Sequence, residues 1–142
     1  MTSKNRVLFI CTGNQARSQI AEALLRHRAG DRFEVQSAGA RPEDVVHPLA
    51  VEVLAELGID ITGARPKHLE ELLGRKFDFI ITLCDNARDM CPVFPGQPVS
   101  EHWNLVDPAA AEGTREERLD AFRRARDEII AKIDRFAESR AG

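Results

Sequence analysis

A short apolar run near the start of the chain ends at a cysteine: Val7 to Ile10 is followed directly by Cys11. Six residues after this cysteine come Arg17 and Ser18, where an amphipathic helical pattern begins. A continuous β-prone apolar run is typical of a strand that is covered on both faces, as in a parallel sheet. A strand that leads through a tight loop into a helix presents backbone amides and the helix N-terminus to an anion. The sequence therefore predicts an anion-binding loop between the first strand and the first helix.

Strand-like and helix-like segments alternate along the whole chain, without repeats, low-complexity tracts or interdomain linkers. This alternation predicts an α/β fold, a three-layer α/β/α sandwich with a four-stranded parallel sheet. A chain of 142 residues is long enough to form one domain, spanning 1–142, with its own core. The predicted strands are 7–10, 33–37, 77–83 and 99–103, and the predicted helices are 18–30, 47–57, 68–73 and 115–137.

The composition is that of a soluble globular protein, with 43% apolar and 30% charged residues. The formal charge of −3 gives no reason to expect nucleic acid or an anionic membrane as a partner. No apolar run reaches the length of a membrane span, and the polar start of the chain lacks the apolar core of a secretory signal. We therefore expect a cytoplasmic protein, with a monomer as the default.

The chain has three cysteines, Cys11, Cys84 and Cys91, which cannot all pair with one another. In a reducing compartment this number favours thiol chemistry over a structural disulfide. Cys84 follows a second strong apolar strand pattern, just as Cys11 follows the first. Ligands bind beyond the carboxyl ends of the strands in open parallel sheets. The sequence therefore predicts two thiols near one site.

Cys11 is the candidate nucleophile of this site. A cysteine attacks as its thiolate, and we expect the loop amides, the helix N-terminus and Arg17 each to lower the pKa of Cys11. Arg17 carries a planar guanidinium suited to two oxygens of a tetrahedral oxyanion. Ser18 could donate a hydrogen bond to the sulfur. The residues expected to bind the oxyanion are Thr12, Gly13, Asn14, Gln15, Ala16 and Arg17.

Two structural roles for the cysteines compete with catalysis. Cys11 taken alone could be a buried cysteine at a strand end, which is the commoner role of a single cysteine. The combination of strand, loop, Arg-Ser and helix favours catalysis over that role. Structural zinc is disfavoured, because Cys84 and Cys91 are not at zinc-finger spacing and the four histidines form no ligand pattern.

The motif Cys-x-x-x-x-x-Arg-Ser directly after an N-terminal strand, here Cys11 to Ser18, resembles the signature loop of the low-molecular-weight tyrosine phosphatase family. That family carries a late Asp-Pro whose aspartate is the general acid. Asp107-Pro108 lies in the matching place, on the loop before the last helix. The resemblance implies that Asp107 is the general acid, although aspartate before proline is also a common turn residue.

Other features resemble the thioredoxin-coupled arsenate reductases, which share the phosphatase fold. Plain phosphatases of this family usually carry tyrosines after the Asp-Pro, whereas this chain has no tyrosine and has three alanines there. It has instead Cys84 after the second strong strand, Cys91 seven positions later, and Glu101-His102-Trp103 ahead of Asp107. The resemblance extends from about Val7 to the final helix.

This resemblance implies a relay of three thiols. Cys11 attacks the arsenic of arsenate while Asp107 protonates the departing oxygen. Cys84 then attacks the Cys11 sulfur, which releases arsenite and leaves a transient Cys11–Cys84 disulfide. Cys91 attacks Cys84, and thioredoxin reduces the resulting Cys84–Cys91 disulfide. Phosphate and sulfate are expected to compete with arsenate, and any phosphatase activity is expected to be weak.

The resemblance also concerns cofactors. Some reductases of this family hold potassium beside the loop, and Asn14, Glu22 and Ser37 match three of its ligands. At the fourth position, where an acid is expected, this chain has Lys67. The hypothesis is that the Lys67 ammonium takes the place of the ion. No tightly bound cofactor is expected, since thioredoxin is the source of electrons.

Two other functions remain open on the sequence alone. One is a low-molecular-weight protein tyrosine phosphatase in which Cys84 and Cys91 are protective or incidental. The other is a non-enzymatic oxyanion-binding or redox-sensing module that signals through the same two cysteines. A thiol carrier other than thioredoxin, such as glutaredoxin, could also supply the electrons.

Overall fold

Four parallel strands form a sheet at the centre of the protein, in the order β2-β1-β3-β4. The computed structural model describes residues 4–84 and 94–139. The strands are β1 (Asn5–Cys11), β2 (Phe33–Gly39), β3 (Phe79–Thr82) and β4 (Val99–His102). The helices are α1 (Arg17–Ala29), α2 (Pro48–Ala55) and α3 (Arg115–Ser139). The predicted α/β fold with a four-stranded parallel sheet is confirmed.

Strand β1 lies in the middle of the sheet and pairs with both β2 and β3. Its last residue, Cys11, is in register with Gly39 at the end of β2. On the other side Ile10 is in register with Thr82, the last residue of β3. Because all strands run in the same direction, these carboxyl ends meet at one edge of the sheet. Cys84, two residues after Thr82, lies at the same edge.

The two faces of the sheet are covered by separate apolar clusters, because successive side chains of a strand point to opposite faces. Val7 and Phe9 of β1 belong to the cluster that includes residues of α1, α2 and α3. Leu8 and Ile10 belong to a smaller cluster on the other face, where a 3₁₀ helix at Leu69–Leu72 packs. Both faces of β1 are thus buried, as the continuous apolar run predicts.

Side-chain caps place the starts of two helices close to their predicted positions. At α2, the Nδ1 atom of His47 accepts the backbone N–H of Leu49 at 3.1 Å. At α3, the backbone N–H of Glu117 donates to Thr114 Oγ1 at 3.1 Å. The backbone N–H of Thr114 donates in return to Glu117 Oε1 at 3.2 Å. Thr114 and Glu117 therefore form a capping box at the start of α3.

The predicted helix at 68–73 and the predicted strand at 77–83 are both shorter in the structure. The helix is the 3₁₀ turn Leu69–Leu72, which lies between Pro66 and a left-handed Gly74 with φ of +90°. The turn ends because the backbone of Leu73 is already extended and that of Gly74 is left-handed. Strand β3 is only Phe79–Thr82, and Phe77, which precedes it, packs edge-on against Phe94 in the smaller cluster.

Charged side chains join helices α2 and α3 at the surface. Arg123 and Arg126 of α3 both bind the Glu56 carboxylate, at 2.7 Å each. Hydrogen bonds from Arg123 and then Arg126 lower the pKa of Glu56 to about 2. Within residues 4–84 and 94–139, no helix has the length and apolar character that crossing a bilayer requires.

Candidate active site

The loop from Cys11 to Arg17 is held in one conformation by the segment 41–47. Its turning point is Asn14, which has a φ of +50° in the left-handed region, where asparagine is better tolerated than most residues. The carbonyl oxygens of Thr12, Gly13 and Gln15 accept the backbone N–H groups of Arg41, Glu43 and His47, each at 2.9 Å. The conformation of the loop therefore depends on backbone contacts from a distant part of the chain.

A cavity of about 270 Å³ opens beside this loop. Residues of the loop line one side of it, including Cys11 and Arg17. Arg41, Glu43 and Asp107 complete the lining. The predicted nucleophile, the predicted anion-binding arginine and the predicted general acid thus meet at one cavity.

Arg17 is buried and points its guanidinium at this cavity from the start of α1. One terminal nitrogen, Nη1, donates to the carbonyl oxygen of Leu105 at 2.9 Å, which fixes the orientation of the group. The Nε–H is buried and has no hydrogen-bond partner among the described residues. An unsatisfied buried donor is unfavourable. A tetrahedral oxyanion in the cavity would satisfy it, which fits the predicted role of Arg17.

Asp107 lies at the edge of the same cavity and is partly exposed. Its Oδ1 atom accepts the backbone N–H of Ala109 at 3.0 Å, so the side chain caps the short 3₁₀ helix Pro108–Ala110. Its other oxygen, Oδ2, is 3.8 Å from Arg17 Nη2. The turn role and the catalytic role are therefore compatible, because one carboxylate oxygen caps the turn while the other faces the arginine.

Cys84 lies near Cys11, as predicted from the two strand ends, and its thiol affects the pKa of Cys11. Thr12 of the loop also contacts Cys84, with 3.3 Å between Oγ1 and Sγ. Cys11 is buried, whereas Cys84 is partly exposed. Cys91, the third predicted thiol, lies outside the described residues. The structure thus brings two of the three cysteines together at the oxyanion loop.

The pKa of the Cys11 thiol is raised, which corrects the expectation that its surroundings lower it. The hydrogen bond with the Cys84 thiol is the largest cause, and burial is the second. Arg17 and the Thr12 backbone amide do lower the pKa, as predicted, but they are outweighed. The prediction was wrong because it considered only the loop itself and neglected the neighbouring thiol and the burial of the sulfur.

Removing the Cys84 thiol is therefore expected to make Cys11 more reactive. The comparison is between Cys91→Ser and the double variant Cys84→Ala/Cys91→Ser, with alkylation of Cys11 by iodoacetamide followed by peptide mass spectrometry across pH. Only the thiolate reacts, so the rate rises with pH in both proteins, and the profile of the double variant lies at lower pH. A pKa lowered by one unit gives about tenfold faster alkylation below the pKa. The control adds Ser100→Ala, on the edge strand β4, to Cys91→Ser and should leave the alkylation of Cys11 unchanged. Alkylation of Cys11 that is unchanged or slower without Cys84 would contradict the conclusion that Cys84 raises its pKa.

Asn14 and Ser18 have structural partners on the buried side of the loop. The Asn14 side-chain amide donates to Ser18 Oγ at 2.8 Å and to Ser37 Oγ at 2.9 Å. Ser37 in turn donates to Glu22 Oε1 at 2.5 Å, and Lys67 Nζ is 3.9 Å from that oxygen. The residues proposed for the cation site are thus in contact. Because Ser18 Oγ acts as an acceptor in this bond, its proton is still available, and donation to Cys11 remains a prediction.

Sequence reasoning missed Gly39, Arg41 and Glu43. Gly39 ends β2, and a Cβ there would collide with the carbonyl oxygens of Cys11 and Thr12, so glycine lets the two segments approach closely. Arg41 and Glu43 line the cavity. The signal for all three was available, since they lie at or just after the carboxyl end of a strand, at the same edge as Cys11.

Comparisons with known proteins agree with this geometry. The sequence model of the family described as low molecular weight phosphotyrosine protein phosphatase matches residues 6–140. An arsenate reductase of Shouchella clausii (strain KSM-K16) is 45% identical over 137 residues, which cover 96% of this chain and 98% of that protein.

Two solved structures are also similar. An arsenate reductase in the phosphate binding state has a TM-score of 0.81 at 28% identity, covering 95% of this chain and 98% of that one. A thioredoxin-dependent arsenate reductase of Corynebacterium glutamicum is 38% identical with a TM-score of 0.66, covering 94% of this chain and 63% of that one. The chain belongs to the low molecular weight phosphotyrosine protein phosphatase family, and the resemblance to the arsenate reductases of this fold that its motifs indicate is confirmed.

Proposed function

We propose that the protein is an arsenate reductase that uses Cys11, Cys84 and Cys91 in turn and receives its electrons from thioredoxin. The observation that carries the proposal is that Cys84 lies beside Cys11 at an oxyanion loop: its Sγ is 3.3 Å from Oγ1 of Thr12, the neighbour of Cys11, and its thiol raises the pKa of Cys11. A phosphatase needs one nucleophilic thiol, whereas the relay needs a second thiol within reach of the first. The arsenate reductases among the relatives support the same substrate, and the Corynebacterium protein supports the same electron donor.

In the first step, arsenate binds to the loop amides and to the unsatisfied Nε–H of Arg17. Since the pKa of Cys11 is raised, its proton must leave before attack, and an oxygen of the bound arsenate is a base at the right place. The Cys11 thiolate then forms a sulfur–arsenic bond. One arsenic–oxygen bond breaks, and Asp107 protonates the oxygen, which leaves as water.

In the second step, Cys84 as a thiolate attacks the sulfur of Cys11. The sulfur–arsenic bond breaks, and its electron pair stays on arsenic, which changes from As(V) to As(III) and leaves as arsenite. The two thiols lose two electrons in total and become the Cys11–Cys84 disulfide. Because Cys84 already lies beside the loop residue that follows Cys11, the distance over which it must move is short.

In the last steps, Cys91 attacks Cys84 and releases Cys11 as a thiol, which leaves a Cys84–Cys91 disulfide. The dithiol of thioredoxin reduces this disulfide and is itself oxidised. The sum is arsenate plus reduced thioredoxin giving arsenite, water and oxidised thioredoxin. The cycle requires a reducing compartment, for which we propose the cytoplasm.

The experiment that tests the proposal measures two activities of the purified protein. Arsenate-dependent oxidation of NADPH is followed with thioredoxin and thioredoxin reductase, and hydrolysis of an aryl phosphate is followed separately. We expect one arsenite per NADPH oxidised, with aryl phosphate hydrolysis much slower. Phosphate instead of arsenate is the control and should give no NADPH oxidation.

The other outcomes favour the rival functions. Rapid aryl phosphate hydrolysis without arsenate-dependent NADPH oxidation would favour the phosphatase. Phosphate binding without either activity would favour a binding or sensing module. Turnover with glutaredoxin and glutathione, but not with thioredoxin, would keep the reductase and replace the donor.

A further inference from the structure

Lys67 contacts the oxyanion loop and its supporting network at the same time. Its backbone N–H donates to Asn14 Oδ1 at 2.8 Å, and its carbonyl oxygen accepts the backbone N–H of Gly39 at 2.8 Å. Its ammonium nitrogen is 3.9 Å from Glu22 Oε1, and its side chain is only 18% exposed. The main chain of Lys67 is therefore fixed against the loop, while its charge lies beside a buried carboxylate.

Glu22 brings the negative charge of this network into the interior, with a side chain that is 11% exposed. Its Oε1 atom accepts the Ser37 hydroxyl, and its Oε2 atom accepts the Arg26 guanidinium at 2.6 Å. Arg26 is itself 55% exposed, so solvent screens its charge. A buried carboxylate must be paired to stay ionised at little cost. Lys67 supplies the pairing positive charge beside Glu22 Oε1, where both side chains are largely shielded from solvent.

Asn14 connects this charge pair to the loop and has no hydrogen-bonding position left. Its amide N–H groups donate to Ser18 and Ser37. Its Oδ1 atom accepts from the Lys67 backbone and, at 3.2 Å, from Gln19 Nε2. An asparagine side chain has two donors and two lone pairs, so all four are used. The hydrogen bonds on the buried side of the loop thereby fix the position of Asn14, the loop residue with the left-handed backbone.

These residues do not fit an additional monovalent metal ion. Such an ion needs oxygen lone pairs directed at it. Both lone pairs of Asn14 Oδ1 are already used, and the Ser37 hydroxyl proton points at Glu22. A metal ion at Glu22 Oε1 would also lie close to the Lys67 ammonium and be repelled.

We propose that Lys67 is a built-in cation that replaces a bound monovalent metal ion and positions the oxyanion loop through Glu22, Ser37 and Asn14. The loop needs this support whether the bound anion is reduced or hydrolysed. The inference therefore goes beyond the proposed function, and its failure would leave the reductase proposal intact.

The first test is the thermal midpoint of the unmodified protein in potassium, sodium or choline chloride at equal ionic strength, without arsenate. We expect the three midpoints to agree within about 1 °C, because the cation is part of the chain. A midpoint that is selectively higher in potassium would overturn the proposal.

The second test compares Lys67→Met with Lys132→Met, which removes a lysine from α3 beside Glu101 and Trp103. We expect Lys67→Met to melt about 3 °C lower or more and to bind inorganic phosphate about fivefold more weakly by calorimetry. Lys132→Met should change neither the midpoint nor the phosphate affinity. Lys67→Arg keeps the charge and should retain phosphate affinity, and this variant provides the test if Lys67→Met does not fold. Phosphate affinity that is equal in Lys67→Met and Lys132→Met, or lost in Lys67→Arg, would contradict a positioning role.

The third test uses Lys67→Asp, which exchanges the ammonium for oxygen ligands beside Glu22. Two adjacent carboxylates repel each other and require a cation, so this variant is expected to melt about 3 °C higher in potassium than in choline. A Lys67→Asp protein that melts as high in choline as the unmodified protein would show that Glu22 needs no cation beside it, and would contradict the proposal.

Discussion

Cys84→Ser is expected to abolish arsenite production, even in a single turnover. Its oxygen cannot form a disulfide with Cys11, so the electron pair of the sulfur–arsenic bond has no route to arsenic. Cys91→Ser is expected to behave differently and to produce about one arsenite per protein before it stops, since the Cys11–Cys84 disulfide can still form. Rapid-quench assays measure the arsenite that each variant forms. They separate the first arsenite per protein molecule from arsenite formed in later turnovers.

Phosphate binding and the mass of the trapped protein serve as controls for these two variants. Both proteins should still bind inorganic phosphate, because the oxyanion loop and Arg17 are intact. After reaction with arsenate, Cys91→Ser should carry a disulfide between Cys11 and Cys84, detected as a cross-linked peptide pair. A Cys84→Ser protein that sustains multiple turnovers on arsenate would exclude the relay.

Asp107→Asn is expected to reduce arsenate turnover by about 10²- to 10⁴-fold, the usual contribution of a general acid. The asparagine oxygen can keep the hydrogen bond from the Ala109 backbone that the aspartate accepts now. The turn at Pro108 should therefore persist, while the proton for the departing oxygen is lost. Pre-steady-state formation of the first arsenite measures the effect on chemistry without the later thiol exchanges.

Comparing esters with different leaving groups provides a sharper test of the general-acid role of Asp107. With aryl phosphates, a strongly acidic phenol leaves without protonation, so the variant should lose less activity on such esters than on esters of weakly acidic alcohols. Asp120→Asn, an exposed change on α3, is the matched control and should have no effect. Loss of the same size on both kinds of ester would favour a purely structural role for Asp107.

The strand ends and the helix starts could be predicted from the sequence because they depend on neighbouring residues. The apolar run of β1, the cysteine that ends it and the Arg-Ser that opens α1 lie within twelve residues, from Val7 to Ser18. The rule that ligands bind at the carboxyl edge of a parallel sheet then brought Cys84 to the same site. His47 caps α2 and also donates its backbone N–H to the loop residue Gln15. Neighbouring residues could not predict this contact with the loop.

The pKa of Cys11 is where prediction from the sequence failed. Local features, such as loop amides and a nearby arginine, do lower it, but the net direction depends on the Cys84 thiol, which follows another strand, and on burial. Both of those effects change over a few ångströms of separation between residues that are distant in the chain. No local pattern around Cys11 encodes either of them.

By itself the sequence determined the strand–loop–helix motif, the parallel sheet and the residue types of an oxyanion site, because period and motif spacing act over short stretches of chain. Only the tertiary structure decided that the pKa of the Cys11 thiol is raised beside Cys84, that the Arg17 Nε–H has no partner among the described residues, and that the Lys67 charge lies beside Glu22. These are consequences of distance and burial. Electrostatic and hydrogen-bond energies depend on distance and burial, and local sequence patterns determine neither of the two.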